Sequence, residues 1–266
     1  MAIVGVGAMG GALASGLLEA GWPPADLTLI EAYAPRAEQL RSSTGCHTVS
    51  EPAEGITDQD VIVLAVKPQG ITTTLEQLAG VVGRHHVVVA LVAGVPLAVY
   101  ERSLPGVPIV RTMPNTPALV GEGVTGMAGG RHASTRDLEL ATTVLSAVGG
   151  VEEVGEPLID AVTAVSGSGP AYAYLLAEAM TAAGVAEGLD PEVAHHLASQ
   201  TIKGAGAMMV GSADDPATLR ERVTSPGGTT AAALRVMESG GFRELVGEAV
   251  AAAAARSREL GEEAAG

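Results

Sequence analysis

A glycine-rich hexapeptide near the start of the chain is the feature that most restricts its fold. Gly5-Val6-Gly7-Ala8-Met9-Gly10 follows an apolar run typical of a buried strand and precedes a helical pattern. In such a G-x-G-x-x-G turn, the three glycines permit a tight turn, close approach of a pyrophosphate, and helix–strand packing. The helix N-terminus supplies amide donors to the phosphates. A purely structural turn is the alternative, but the flanking strand and helix favour a dinucleotide site.

Short β-branched runs alternate with helical patterns over residues 1–155. The runs predict strands at Ala2–Val6, Asp26–Glu31, Asp60–Val66, Val87–Ala93 and Pro108–Thr112. Helical patterns lie at Gly10–Ala20, Arg36–Arg41, Leu75–Val82 and Ser134–Val148, and the last is flanked by candidate strands at Gly121–Ala128 and Val151–Val154. Continuous apolar strands that alternate with helices predict an α/β fold whose mostly parallel sheet is covered on both faces.

The strand signal disappears from Asp160 onward, and Ala-rich helical patterns replace it. These patterns predict helices at Ala171–Gly184, Pro191–Met209, Pro216–Val223, Thr230–Ser239 and Phe242–Leu260. An Asp before a first-turn proline marks the start of two of them. We therefore predict a Rossmann domain over residues 1–156, followed by an all-helical domain over residues 157–266.

Further strand ends carry candidates for cofactor contact, because the carboxyl ends of strands line the ligand crevice in doubly wound sheets. Glu31 ends the second strand, where an acid can bind a ribose. Ala65-Val66-Lys67-Pro68 and Ala93-Gly94 end two buried strands, and Asn115 lies in a double-proline loop after another. Lys67 can also be a solvated loop charge, and the loop around Asn115 can also be a rigid turn.

A second glycine-rich segment joins two predicted helices in the C-terminal half. In Val223-Thr224-Ser225-Pro226-Gly227-Gly228-Thr229-Thr230 the glycines permit a strained turn, and the threonines begin a helix. Amides and hydroxyls at a helix start suit a small carboxylate, although an elaborate helix cap would use the same residues. Ser166–Tyr172 opens another helix with small residues, as a close helix crossing or an anion-binding nest would.

Composition excludes several classes of protein. The net charge is −15 with no basic run, which argues against a nucleic-acid surface. The longest apolar run, Val87–Val99, falls short of the ~20 residues of a membrane span, and no basic residue precedes Arg36 to begin a signal peptide. Cys46, in a probable buried strand, is the lone cysteine and suits a reducing cytosol. The histidines lack metal-ligand spacing, so we expect no metal site and a cytoplasmic protein.

In their order along the chain, these motifs resemble the pyrroline-5-carboxylate reductase family. The resemblance spans essentially the whole chain, and its most specific part runs from Leu219 through Thr230 to Glu238. It implies a Rossmann domain followed by a helical dimerisation domain, in an obligate homodimer often assembled into a decamer of five dimers. It also implies reduction of the cyclic imine 1-pyrroline-5-carboxylate to L-proline, the last step of proline biosynthesis, with NADPH or NADH.

The resemblance also assigns roles to individual residues. It implies cofactor contacts at Gly5, Gly7, Ala8, Met9, Gly10, Ala65, Val66, Lys67, Pro68, Ala93, Gly94 and Asn115. It implies a substrate loop formed by Ser225, Gly227, Gly228, Thr229 and Thr230. Within that loop, we expect the Thr230 hydroxyl to be the catalytic group that contacts the ring nitrogen. Glu31 departs from the family, in which many members carry small polar or basic residues suited to a 2′-phosphate; Arg36 could neutralise that phosphate instead.

Two other functions fit the same residues. One is a reductase of another cyclic imino acid, such as a six-membered ring. The other is a non-catalytic NAD(P)-binding protein on the same fold, which the intact substrate loop argues against. Hydride transfer to an iminium needs little from side chains, because the cofactor supplies the hydride and the protein supplies the positioning.

Overall fold

The computed structural model describes residues 1–56 and 60–265, and it divides them into two compact units. The first unit comprises residues 1–168 together with the residues from 253 onward, and the second comprises residues 169–252. Gly266, the last residue of the predicted helical domain, lies outside the described residues.

The first unit alternates strands with helices. Its strands are β1 (Ala2–Val4), β2 (Thr28–Ile30), β3 (His47–Val49), β4 (Val61–Leu64), β5 (Val87–Ala90), β6 (Ile109–Met113), β7 (Gly123–Gly129) and β8 (Gly149–Glu153). Its helices are α1 (Ala8–Glu19), α2 (Ala34–Thr44), α3 (Pro52–Gly55), α4 (Ile71–Leu78), α5 (Leu97–Ser103), α6 (Thr135–Leu145) and α7 (Ile159–Val162). The second unit contains α8 (Gly169–Ala186), α9 (Pro191–Gly211), α10 (Pro216–Arg222), α11 (Thr229–Ser239) and the first part of α12 (Phe242–Ala265).

The strands form one eight-stranded sheet in the order β3-β2-β1-β4-β5-β6-β7-β8. Its pairs are parallel except β6 with β7, which are antiparallel. The strand order reverses between β1 and β4, so the crevice of a doubly wound sheet lies above these two strands. The predicted α/β fold with a mostly parallel sheet is confirmed.

Two aliphatic clusters cover the two faces of the sheet. Side chains of β1 alternate between them, with Ile3 in one cluster and Ala2 and Val4 in the other. Every residue of β1, β2, β4 and β5 is buried, as expected of parallel strands covered on both sides. The predicted core position of Cys46 is confirmed, since it is buried just before β3.

The probable strand around Cys46 corresponds to β3, which begins one residue later at His47. The sequence prediction missed the short helices α3, α5 and α7, which have only four to seven residues, too few to show a hydrophobic period. Parallel β5 and β6 nevertheless need a crossover between them, and α5 supplies it. The other predicted strands and helices are present, with ends shifted by a few residues.

The first unit extends past the predicted boundary at residue 156. After α7, Thr163–Gly167 form a π-helical turn, which closes with a hydrogen bond from Ser168 N to Thr163 O (2.8 Å). Glycines let this region approach the sheet closely: an alanine Cβ at Gly126 would lie 2.6 Å from Cγ1 of Val162 at the end of α7, and one at Gly167 would lie 2.6 Å from Met113 Cε. The division into domains 1–156 and 157–266 stays a prediction.

The second unit buries few of its side chains. Within residues 169–252, all of which the structure describes, the buried residues are Ala194 and Ala198. Large apolar side chains on its helices are exposed, among them Tyr174, Leu175, Val193, Leu197, Met208, Val236 and Leu245. So many exposed large apolar side chains in one unit are typical of a surface that another protein surface covers. No helix in the described part of the chain has the length and apolar character to cross a membrane.

We expect the protein to be at least a dimer, because a second copy would cover these apolar helices. Light scattering at micromolar concentration should give at least twice the chain mass of 26.6 kDa. Leu245→Glu should shift the mass towards the monomer, because Leu245 is 64% exposed in the second unit. Leu119→Glu, at a 58% exposed site in the first unit, is the matched control and should leave the mass unchanged. A fully active wild-type monomer would contradict the expectation.

Candidate active site

The carboxyl ends of four strands form a continuous row. Backbone hydrogen bonds continue one residue past the strands, from Gly5 N to Ile30 O (2.9 Å), from Ala65 N to Val4 O (2.9 Å) and from Leu91 N to Leu64 O (2.8 Å). Glu31 N similarly donates to Val49 O (3.0 Å). The sheet therefore brings together the residues that the sequence predicts at the ends of β1, β2, β4 and β5.

The glycine turn fits the predicted pyrophosphate site. Gly5 has φ +86°, a conformation that favours glycine. An alanine Cβ at Gly10 would lie 2.1 Å from the carbonyl oxygen of Gly5, so only glycine allows α1 to pack this closely. A Cβ at Gly7 would meet no atom within 4 Å, which leaves the exposed face of the turn open to a ligand. The first-turn amides of α1, at Ala8 and Met9, lack intrahelical acceptors and can donate to phosphate oxygens.

Glu31 and Arg36 both form hydrogen bonds with the backbone of Val6, at the start of this turn. Glu31 Oε2 accepts from Val6 N (3.2 Å), and its Oε1 accepts from Tyr33 N (3.0 Å). Arg36 Nε donates to Val6 O (3.4 Å). The Glu31 carboxylate and the Arg36 guanidinium therefore both lie where the adenosine ribose of a bound dinucleotide would lie.

The ends of β4 and β5 form the other side of the crevice. Ala65 and Val66 are half-buried and pack against the glycine turn: Val66 Cγ1 would lie 2.8 Å from an alanine Cβ at Gly5. Lys67 and Pro68 are exposed. Ala93 is also exposed, and Gly94 has φ +74° in the loop that follows β5. The cofactor contacts predicted at these residues stay predictions, and the residues lie at the edge of the sheet that such contacts require.

The side-chain amide of Asn115 forms hydrogen bonds within the first unit. Its Oδ1 accepts from Val124 N (2.9 Å), and its Nδ2 donates to Ser166 O (3.2 Å). The side chain is 8% exposed. These bonds tie the end of β6 to β7 and to the π-helical turn, so they support the rigid-turn interpretation, while the predicted cofactor contact stays a prediction.

The predicted substrate loop lies in the second unit, between α10 and α11. Gly228 N donates to Ser225 O (3.0 Å), and Gly227 has φ +71°, so residues 225–228 form a tight turn with Pro226 at its second position. The turn leads directly into α11 at Thr229. Thr229 is exposed and Thr230 half-buried, and the first-turn amides of α11 face the same end of the helix.

An ion pair marks the opposite end of α11. Arg243 donates from Nε to Glu238 Oε2 (2.9 Å) and from Nη2 to Glu238 Oε1 (2.8 Å), in a two-pronged geometry. These hydrogen bonds lower the pKa of the Glu238 carboxyl below its usual range. The pair closes the turn at residues 239–241, and so supports the helix that begins at the predicted substrate loop.

Sequence reasoning missed a polar cluster that joins β6 to the start of α5. Buried Arg111 donates from Nη1 to Glu156 Oε1 (3.1 Å), and the same oxygen accepts from Leu97 N (2.7 Å). Glu156 thus links the start of α5 to β6. No sequence pattern could reveal this link, since residues 97, 111 and 156 lie in separate elements.

Within residues 1–56 and 60–265, no group of three or more His, Cys, Asp or Glu side chains could hold a metal ion.

The sheet order, the open glycine turn and the acid at the end of β2 define a dinucleotide-binding protein with a Rossmann fold. Residues 156–260 match the family model for pyrroline-5-carboxylate reductase dimerisation, and residues 1–94 match the model described as NADP oxidoreductase coenzyme F420-dependent. The chain is 44% identical to the pyrroline-5-carboxylate reductase of Mycobacterium tuberculosis, covering 98% of this chain and 96% of the relative. The chain belongs to the pyrroline-5-carboxylate reductase family, as the sequence motifs predict.

Solved structures agree with this assignment. A pyrroline-5-carboxylate reductase from Coxiella burnetii superimposes with a TM-score of 0.94 at 36% identity, covering 97% of each chain. The pyrroline carboxylate reductase of Plasmodium falciparum, solved with NADP bound, gives a TM-score of 0.84 at 31% identity, covering 98% of this chain and 97% of that one.

Two glycine substitutions should distinguish the glycine that leaves space for a ligand from the glycine that allows α1 to pack on the end of β1. Gly7→Ala should leave the melting temperature near that of the wild type but weaken NADH and NADPH binding by about tenfold or more, because its methyl group enters the open space of the turn. Gly10→Ala should lower the free energy of unfolding by about 1–3 kcal/mol, because its methyl group meets the Gly5 carbonyl. Thermal melts and cofactor titrations measure both. Unweakened binding in Gly7→Ala would exclude this turn as the phosphate site.

Glu31 should favour NADH over NADPH, because a 2′-phosphate would meet a like charge there. Glu31→Ser should lower the NADPH dissociation constant roughly two- to fivefold and change that of NADH less. Glu139→Ser, the same change at an exposed residue of α6, controls for net charge. If Glu31→Ser leaves the ratio of the two constants unchanged, Arg36 or the backbone determines the preference.

Proposed function

We propose that this chain reduces 1-pyrroline-5-carboxylate to L-proline with NADH or NADPH, the last step of proline biosynthesis. Membership of the reductase family over nearly the full chain is the observation that carries the proposal. The open glycine turn beside Glu31 supports the dinucleotide part of it, because the residues present fit a pyrophosphate and a ribose.

The residues of the glycine turn would hold the cofactor. Amides of Ala8 and Met9 at the start of α1 would bind the pyrophosphate, and the ends of β4 and β5 would support the nicotinamide half. The bound cofactor supplies the hydride for the C=N bond of the substrate. The chain's task is to hold the imine carbon within reach of that hydride and to exclude other orientations.

The loop at residues 225–230 would hold the substrate. First-turn amides of α11 and the Ser225 hydroxyl provide donors for a small carboxylate, in the part of the chain that carries the most specific family motif. The Thr230 hydroxyl would contact the ring nitrogen. Because a protonated imine is already electrophilic, the mechanism needs no further side chain as a general acid, and solvent can protonate the imine before it binds.

Oxidation of the cofactor tests the proposal directly. The loss of absorbance at 340 nm should depend on 1-pyrroline-5-carboxylate, with NADH and NADPH assayed separately and proline identified as the product. A six-membered cyclic imine should react more slowly. Faster reduction of the six-membered ring would make the enzyme a reductase of another cyclic imino acid. Tight cofactor binding without oxidation by either imine would make it a non-catalytic NAD(P)-binding protein.

We propose the homodimer as the active form, with further assembly into a decamer of five dimers in the cytoplasm. The match of residues 156–260 to the dimerisation family and the exposed apolar helices of the second unit support the dimer. The decamer rests on the resemblance to the family. Mass measured by light scattering distinguishes two copies from ten.

Thr230→Ala should lower kcat/KM for the imine roughly 10- to 150-fold, as expected for a lost hydrogen bond worth about 1.5–3 kcal/mol. The dissociation constant of NADPH should change little. Ser239→Ala, at the other end of α11, is the control, because its hydroxyl donates to Val236 O within the same helix (3.2 Å). Wild-type kcat/KM in Thr230→Ala would remove this hydroxyl from the site.

A further inference from the structure

The last part of α12 belongs to the first unit and packs against the loop between β5 and α5. An alanine Cβ at Gly94 would lie 3.5 Å from Leu260 Cβ, and one at Gly261 would lie 3.6 Å from Gly94 O. These are ordinary van der Waals distances, so helix and loop meet through two glycines and one leucine. The helix therefore limits how far this loop can move away from the sheet.

A side-chain hydrogen bond joins the same helix to α7. Ser257 Oγ donates to Asp160 Oδ1 at 2.7 Å, and Ser257 is 6% exposed. A hydrogen bond to a carboxylate is stronger than one between neutral groups, and burial of the serine shields it from water. The two residues are 97 positions apart in the chain, so the bond closes a long loop.

A cavity of about 540 Å³ lies between this helix and the strand ends. Pro68, Ala93 and Gly94 line one side, and Arg256, Ser257 and Leu260 line the other. Its volume is within the range of about 300–1,000 Å³ that small-molecule sites occupy. Arg256 is exposed on the rim and is paired with Glu259 (2.7 Å) and Glu263 (3.1 Å) of its own helix.

The sheet order indicates which part of a dinucleotide would reach this cavity. Glu31, at the end of β2, lies on one side of β1, whereas Pro68 and Gly94 follow β4 and β5 on the other side. In a doubly wound sheet the adenosine ribose meets the end of β2 and the pyrophosphate crosses at β1. The nicotinamide half then extends over β4 and β5, towards the cavity that α12 borders.

We propose that residues 253–264 of α12 form a wall of the nicotinamide pocket, and that Ser257 is a positioning residue. Its hydrogen bond to Asp160 anchors α12, and the anchored helix holds the β5–α5 loop in its cofactor-binding position. The proposal rests on the proposed use of NAD(P)H by this chain. Ser257 acts on the cofactor through the helix and the loop rather than through the chemical step. Its loss should therefore weaken cofactor binding and leave turnover at saturating cofactor nearly unchanged.

A double-mutant cycle on the intact enzyme tests the proposal. Ser257→Ala and Asp160→Ala should each raise the KM and dissociation constant of NAD(P)H about three- to tenfold, the range expected for one net hydrogen bond. The double variant should raise them no further, because both substitutions remove the same bond. Asp160→Asn retains an acceptor and should restore much of the affinity. Ser42→Ala, whose hydroxyl donates to Gln39 O within α2 (2.9 Å), is the matched control.

If the bond between Ser257 and Asp160 only stabilises the fold, its loss should lower the melting temperature and the amount of active enzyme but leave the KM for NAD(P)H unchanged. That result would overturn the proposal. If Ser257→Ala fails to fold, Leu260→Ala takes its place, since it loosens the same wall at Gly94, and unchanged cofactor binding there has the same meaning. Dissociation constants measured from NADH fluorescence need no imine. A wild-type protein that binds NADH but reduces no imine would contradict the proposed function and leave this test intact.

Discussion

The approach of α1 to the end of β1 is the contact on which the candidate cofactor site depends. The Cα of Gly10 lies so close to the Gly5 carbonyl that a methyl group at residue 10 would overlap it. This contact sets where α1 begins, and therefore where its first-turn amides point. The parallel register of β1 with β2 and β4 then places Glu31 and Ala65 on either side of those amides. Loss of the contact would move the phosphate donors away from a ribose acceptor that the sheet holds in place.

Much of this arrangement could be predicted from the sequence, because each part of it has a local pattern. Five continuous apolar runs predicted the parallel sheet, and the glycine spacing identified the turn. The Asp-Pro pairs correctly marked the starts of α9 and α10, where Asp190 and Asp215 cap the first turns. The Thr218 backbone amide and side chain that hydrogen-bond to Asp215 lower the pKa of its carboxyl, which keeps this cap charged.

The parts that could not be predicted depend on contacts between distant residues. The bond from Ser257 to Asp160 and the link from Arg111 through Glu156 to Leu97 join separate elements, and no periodicity reports such pairs. The π-helical turn at residues 163–167 is likewise invisible in a pattern of apolar residues. For Asn115, the sequence predicted the position near the strand ends but not the hydrogen-bond partners of its side-chain amide, which only the fold brings together.

The cofactor-binding unit is discontinuous in the chain, and this has a consequence for its synthesis. Residues 1–168 leave the ribosome first, but the helix segment that completes their unit follows only after residues 169–252. Domains that fold during translation generally do so as units from the N-terminus. A nascent chain that has reached residue 252 contains the whole sheet, yet its β5–α5 loop still lacks Leu260 and its α7 still lacks Ser257. Residues translated after the helices of the second unit thus complete a surface whose other residues precede those helices in the chain.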